Sequence, residues 1–515
     1  MGEKTKKSIR ILIIIAAITG IMVMGVADSR GLSKTEYMYA TVGDERINAF
    51  WSDGKVYFFM PSYADDNITR MSPNAKNVQY TVMHSANLPT VYIDTKSGKL
   101  DDILADKEYS ERAKIRVYDE DGNRVYSGGI KKFGGRGNYS WMNWEKKPYR
   151  IVLKEEVSLL GLGTGTGYAL YANASDATLV RNDIAFNMEQ KAGVPYSYPG
   201  RFCDLYVNGD YAGNYYLKAT IDVGSERVNI TDMEASMDEL YDHANYESYK
   251  TYETEKMKGW NLDTNPDDIT GGYIIEREYA QRYDTEYATN ESCFITDMDE
   301  HFIVSSPRYC SKEQIEYLAE YMNEVEEVIN SADMHEQYGM QVYDDYIDER
   351  SFAAKYLVNV ITKNYDAGVS SEYFYKDSDG IDDRLYAGPG WDYDMSLGNY
   401  LDWMEYHDEP PIGLARKPEV SDASEWYTIL YEVPKQRIII EEKYKKMHDY
   451  IDSLITCGID EYRVLLQDSA AMDAIRWKEM YKENGYTAGD EEEYAKLADF
   501  LHIRCNYLDE IWNIE

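Results

Sequence analysis

Apolar and polar residues alternate on both sides of Asp121-Gly122 in "IRVYDEDGNRVYSGGI", and again around Asn208-Gly209 in "FCDLYVNGDYAGNYYL". Period-two alternation around an Asp-Gly or Asn-Gly step predicts an antiparallel hairpin. Between them, "ATLVRNDIAFNMEQKAG" spaces Leu179, Ile184, Phe186 and Met188 near a helical repeat and stops at Gly193. Residues 88–310 therefore read as a mostly antiparallel sheet with at least one helix packed on it. Ahead of them, residues 28–87 hold short runs such as "KVYFFM" and predict a small β-rich region.

At Ser311 the period changes. "SKEQIEYLAEYMNEVEEVIN" sets Ile315, Leu318, Tyr321 and Met322 on one stripe, and Ser311 with Gln314 fits a capping box. "ERSFAAKYLVNVITK" predicts a second helix ending near Asn364. Strand texture returns in "SEYFYKD" and "RLYAGPGWDYD", and amphipathic helices follow from Glu425. The order predicts an α+β fold: a core over residues 88–415, then a helical part of the same domain over 416–515. Acidic residues 242–270 and Tyr406 to Asp422 read as the flexible stretches. No internal repeat is present.

Composition narrows the function classes. The 515 residues are 44% hydrophobic, enough for a large core. Asp and Glu number 92 against 54 Lys and Arg, a formal charge of -38, so nucleic acid is a poor partner. Five scattered cysteines without a CxxC pair indicate neither a zinc site nor a disulfide framework. The N-terminus places Lys4, Lys6, Lys7 and Arg10 before an apolar run from Ile11 to Ala27, with small residues at Gly25 and Ala27. Residues 1–27 thus read as a signal peptide or signal anchor, and the expected location is secreted or at the cell surface. Any membrane contact is expected only through that segment left uncleaved.

Several stretches carry candidate chemistry. "GPGWDYDMSLGN" holds Asp392 and Asp394 two residues apart, so in an extended segment both lie on one face. Such a pair suits Mg²⁺, or else caps local backbone. Asp366 in "TKNYDAGVSSEYFY" sits between a helix and a strand, placed either to accept a proton from a hydroxyl or to end the helix. "GGRGNYSWMNWEKKPYRIVL" leads into a strand with Lys146, Lys147 and Arg150, which either holds phosphates or forms a basic edge against the acidic surface. "GLGTGTG", Gly161 to Gly167, either covers phosphates or is a turn between strands; it fits neither GxGxxG nor a Walker pattern.

Taken together and in order, "GGRGNYSW", "KKPYRIVL", "SLLGL", "LVRNDIAF", "FCDLYVNGDYAGNYYL", "GGYIIE", "KNYD", "YFYKD" and "GPGWDYDMSLGN" resemble the CotH-type kinases, the family named after spore coat protein H. The resemblance covers about Leu88 to Trp512. It implies an atypical bilobal protein-kinase-like fold, with a β-rich N-terminal part and a helical C-terminal part. It implies ATP with Mg²⁺ or Mn²⁺, and a protein serine or threonine as acceptor. By motif, Asp366 takes the catalytic aspartate's place and Asp392 that of the metal-binding aspartate, with Asp394 beside it. Lys147 is the expected phosphate contact, then Lys146 and Arg150. Ser371 stands where active members tend to carry a metal-ligating Asn, and Ala219 where the family has a Glu. The competing expectation is a catalytically silent kinase-like scaffold that binds a partner at the cell surface.

Overall fold

The computed structural model describes residues 38–64, 78–242, 246, 248–287, 291–332, 343–399 and 426–514. Residues 1–27, read as a signal peptide or signal anchor, and Tyr406 to Asp422 lie outside the described residues. Among the described residues, no helix is long and apolar enough to cross a membrane.

Both hairpins form. Gly122 takes a φ of 82° between Ser110–Tyr118 and Arg124–Gly135. Asn208 and Gly209 take φ of 54° and 86° between Arg201–Val207 and Asp210–Ala219, the two left-handed residues that a tight two-residue turn needs. The hairpins belong to one closed barrel in the order Gly165–Tyr171, Asp210–Ala219, Arg201–Val207, Thr90–Thr95, Ser110–Tyr118, Arg124–Gly135, Tyr149–Val157. Its one parallel pairing joins Thr90–Thr95 to Arg201–Val207. Alternate residues fill it: Val91, Ile93, Ile115, Val117, Ile151 and Leu153 are buried.

A second, seven-stranded sheet runs Thr251–Glu253, Met257–Trp260, Cys293–Ile295, His301–Ser306, Tyr273–Glu278, Glu372–Lys376, Leu385–Ala387. The last two strands come from beyond residue 311, so the β-rich part does not end where the helical texture starts. Two strands also form inside the acidic stretch expected to be flexible. The Ser311–Gln314 capping box is present, with both of its bonds, at the start of Lys312–Asn330.

The fold is α+β. Helix Arg181–Ala192 runs through its middle and packs on Glu349–Thr362 and Pro434–Ser453. Almost all of its residues are buried, including Arg181, Asn182, Asp183 and Glu189. This is why its apolar stripe is faint in sequence: a helix enclosed on all sides has no solvent face. Helix Ile459–Arg476 lies against barrel strand Asp210–Ala219, where the Asp473 carboxylate accepts from the Asn214 amide (2.8 Å) and pairs with Lys146 (2.7 Å). The small N-terminal strands pack on the barrel through Phe58 and Phe59 against Tyr206 and Tyr211. All five cysteines are free thiols.

Candidate active site

Helix Glu349–Thr362 ends at Lys363, whose φ of 47° turns the chain into Asn364–Tyr365–Asp366. The loop after strand Leu385–Ala387 lies alongside: the Tyr365 amide donates to the Met395 carbonyl (3.1 Å) and the Leu397 amide to that of Thr362 (2.7 Å). This pairing brings Asp366 to Asp392 and Asp394. Asp392 has a φ of 61°, a left-handed backbone that a non-glycine residue holds only where its surroundings enforce it.

The "RND" residues do the enforcing. Arg181 pairs with Asp176 and donates from Nε to the Leu397 carbonyl (3.2 Å). Asn182 accepts from the Tyr393 amide (2.8 Å). Asp183 accepts from the Tyr216 hydroxyl (2.6 Å), tying the same helix to the barrel. Tyr393 is fully buried; its hydroxyl meets Glu189 and the Lys355 ammonium (2.9 Å). Glycine is needed at 390, where a Cβ would collide with the Glu189 carboxylate.

The three carboxylates repel one another. Each keeps a path to solvent but is walled in by protein. Burial, then the charge of Asp392, pushes Asp366 up to about 7, with Arg282 opposing. Burial, then Asp392 and Asp366, pushes Asp394 well above the carboxylate range; the Ser175 hydroxyl donates to it (3.2 Å). A folded-state pKa raised above the unfolded value gives stability that is present below about pH 4 and fades as pH rises through about 7. Asp366→Asn is therefore expected to raise the melting temperature by about 2–4 °C at pH 8 and by less than half as much at pH 5. Scanning fluorimetry at the two pH values checks this; an equal shift at both would mean the repulsion is not felt.

A cation lies against the loop that carries Asp392 and Asp394. The Arg136 guanidinium lies over the rings of Tyr171 (4.1 Å) and Trp391 (4.9 Å), and Tyr171 also feels the charge of Asp392 and Asp394. Burial, with Arg308 and Arg136 nearby against Glu108, lowers Arg150 from its ordinary value. Beside them opens a cleft lined by Leu162, Tyr196, Lys218, Ala219, Ile221 and Pro389. The carboxylates do not line it; Pro389, in the same loop as Asp392, is the shared wall. The family model described as CotH kinase protein matches residues 134–508. The chain belongs to the CotH kinase protein family. Membership implies a kinase-like function and the use of a nucleotide. Among curated proteins, none matches the chain.

In this CotH-family chain the expected site residues divide. Asp366, Asp392 and Asp394 gather, each within reach of another's charge, while Arg150 is connected to them only by way of Arg136, whose charge it feels and which lies over Trp391. Lys146 does not join them: it is fully buried and paired with Asp473. Lys147 is half-buried and folds back on the Trp141 carbonyl and ring. Ser371 is buried with a φ of 55° and donates to none of the three carboxylates; the hydroxyl that reaches Asp366 is that of Ser370. Ala219 ends its strand at the cleft wall, next to Lys218, which burial lowers to about 8. The glycine-rich turn holds protein: Arg227 donates to the carbonyls of Gly167 (2.9 Å) and Gly163 (3.2 Å), and a Cβ at Gly165 would meet its guanidinium.

Sequence reasoning missed Arg136, although it stands in the quoted "GGRGN" turn. It also missed Glu189 and Lys355. Lys355 lies between Phe352 and Asn359 on the stripe that the helix buries, and a charge on a buried stripe is a signal that a partner exists elsewhere.

The metal that the family implies can be tested against these side chains. Among the described residues, no three His, Cys, Asp or Glu form a metal cage. Mg²⁺ does not require one, since it binds through one or two carboxylates and substrate phosphates. Asp392 and Asp394, side by side and destabilised by mutual repulsion, fit that mode.

Proposed function

We propose that the chain is an atypical protein kinase that transfers the γ-phosphoryl group of ATP to a serine or threonine hydroxyl on a protein. One observation carries the reading: Asp366, and Asp394 in the adjoining loop, are raised by burial and by the charges around them; Arg136 lies over Trp391 of that loop, with Arg150 next to it, and neither arginine is ion-paired among the described residues. The first group calls for a cation and the second for an anion, and a metal-bound nucleotide supplies both. Arg136 and Arg150 take the phosphate role expected of Lys146 and Lys147. Asp392, with Asp394, would hold Mg²⁺ or Mn²⁺, which neutralises charge on the phosphates. The nucleoside lies in the cleft beside Ala219 and Pro389.

In the transfer, Asp366 accepts the proton as the acceptor oxygen bonds to the γ-phosphorus. The bond from that phosphorus to the β–γ bridging oxygen breaks, and ADP leaves. Such a reaction asks the protein chiefly to position groups and neutralise charge. The barrel and the helical part would act as the two lobes of a kinase-like fold. The basic and apolar N-terminus supports action outside the cytoplasmic membrane.

Calorimetry of the purified protein with ATP, with and without Mg²⁺ or Mn²⁺, is expected to show binding that depends on the metal. Arg136→Met should weaken it by about 10–100-fold, the loss of one charge-assisted contact. If the wild type binds no ATP with either metal, the kinase reading falls and the silent surface scaffold replaces it.

A further inference from the structure

The strand Arg124–Gly135 and its neighbours carry a charge opposite to that of the molecule. Between residues 110 and 154 there are 11 Lys and Arg against five Asp and Glu, in a chain whose formal charge is -38. The register puts many of these cations on the barrel's outer surface. Phe133 and Ile151 point inward, so Lys132, opposite Val152, and Arg150, opposite Gly134, point out. Lys114 lies opposite Gly129, and a Cβ at Gly129 would touch the stem of Lys154, so those two lysines flank a residue with no side chain. Lys131 is exposed at the bulge between them and Lys132.

None of Lys114, Lys131, Lys132, Arg150 and Lys154 has a carboxylate at ion-pair distance among the described residues. The cations are close enough to disturb one another: burial, then Arg308, Arg150 and Lys131, lowers Lys132. Glu108 and Asp222 act on Arg150 from a distance without pairing. In a chain with 92 acidic residues, a face whose exposed cations have no carboxylate partner presents a local positive field that an anionic ligand complements.

The face has an apolar end. Tyr109 (40%), whose carbonyl lies close to Gly134, and Tyr139 (50%) and Met142 (74%), on the short helix that follows Arg136, are exposed. The Lys107 ammonium bonded to Asn138 (2.5 Å) holds the two segments together. Exposed aromatic and Met side chains next to a basic row suit a polypeptide better than a bare polyphosphate, which has nothing apolar to place on them.

We propose that this outer barrel face docks an acidic polypeptide segment, the acceptor protein of the phosphoryl transfer, and leads it past Lys132 toward the nucleotide held by Arg150 and Arg136. The inference rests on the kinase reading for the word acceptor, and on the charge and register alone for the docking. The rest of the surface repels such a segment, so the basic face also sets the direction of approach.

The test uses the full chain and a fluorescein-labelled 12-residue peptide of alternating Glu and Ser, in anisotropy titrations. A Lys/Ser peptide and inorganic polyphosphate serve as comparisons. The expected result is binding of the Glu/Ser peptide that weakens with salt, and little binding of the Lys/Ser peptide. The triple variant Lys114→Glu, Lys131→Glu, Lys154→Glu changes exposed side chains away from the carboxylates. It should lose about tenfold or more in peptide affinity while its ATP affinity stays that of the wild type. Equal binding of the two peptides, an unchanged triple variant, or a clear preference for polyphosphate would overturn the proposal. Glu/Ser peptide binding without any ATP binding would uphold the docking face and sink the kinase reading, so the two failures are distinguishable.

Discussion

Asp366→Asn is expected to lower turnover by about two to four orders of magnitude and to leave metal-dependent ATP binding largely intact. Asp392→Asn is expected to abolish that binding. The two carboxylates fail differently because they meet different partners. Asp366 sits where helix Glu349–Thr362 gives way to its loop, and is pushed up to about 7, close to the pH at which a proton acceptor works best. Asp392 sits in the loop clamped by Arg181 and Asn182, on a backbone fixed for one side-chain direction. Asp394→Asn should fall between them if Asp394 only supports Asp392, and should match Asp392→Asn if both bind the metal. Because Asp366 must be ionised to accept a proton, kcat/KM should rise with pH through the region near 7. Single-turnover rates and calorimetry on the three variants separate the roles. Equal loss of ATP binding in Asp366→Asn and Asp392→Asn would show that the trio acts only as one metal site.

The parts of the fold that were legible are those that a few neighbouring residues specify. Asp121-Gly122 and Asn208-Gly209 announce their turns because a tight hairpin needs left-handed backbone there. Ser311 and Gln314 announce a helix because they satisfy each other's backbone amides. Closure of the barrel was not legible. It depends on Thr90–Thr95 pairing parallel with Arg201–Val207, and nothing in either strand's alternation names a partner so far along the chain. The second sheet escaped for the same reason. "SEYFYKD" reads as a strand, but not as one that lies beside Tyr273–Glu278.

The site divides in the same way. The three aspartates stood out because turn and glycine context sets them apart from ordinary surface carboxylates. The lysines misled because they stand ahead of the strand, which starts at Tyr149 after Pro148, so no alternation governs them. Lys146 turned inward to Asp473, a residue of a late helix, and Arg150 turned outward. Arg136 was hidden by standing in a glycine turn, where its long side chain reaches back over Tyr171 and Trp391.

Lys355→Met is expected to give the largest loss of stability of any change near the site, about 3–5 kcal/mol, or roughly 5–10 °C in melting temperature. Lys355 is fully enclosed, 2.8 Å from Glu189 and 3.9 Å from Glu372. Burial alone would lower its pKa, but those two carboxylates outweigh it and the ammonium is held above its ordinary value. Removing it strands two buried carboxylates. The Asn359 amide (3.0 Å) and the Tyr427 hydroxyl (3.3 Å) still reach Glu372 but bring no charge. Burial already raises Glu372 against the pull of Lys355, so without that pull it binds a proton more readily. The loss should therefore be larger at pH 8 than at pH 5. Glu189→Gln added to Lys355→Met should recover part of the stability, because one stranded charge is then gone. The effect reaches the chemistry through Tyr393, whose hydroxyl is bonded to both Glu189 and Lys355 while its neighbour Asp392 holds the strained backbone. In Lys355→Met, ATP affinity measured well below the melting temperature should fall in the presence of Mg²⁺ and stay unchanged in its absence. Thermal melts of the two single variants and the double variant at pH 5 and pH 8 complete the cycle. Strict additivity, or a loss independent of pH, would mean that the ammonium neutralises neither carboxylate and only fills space.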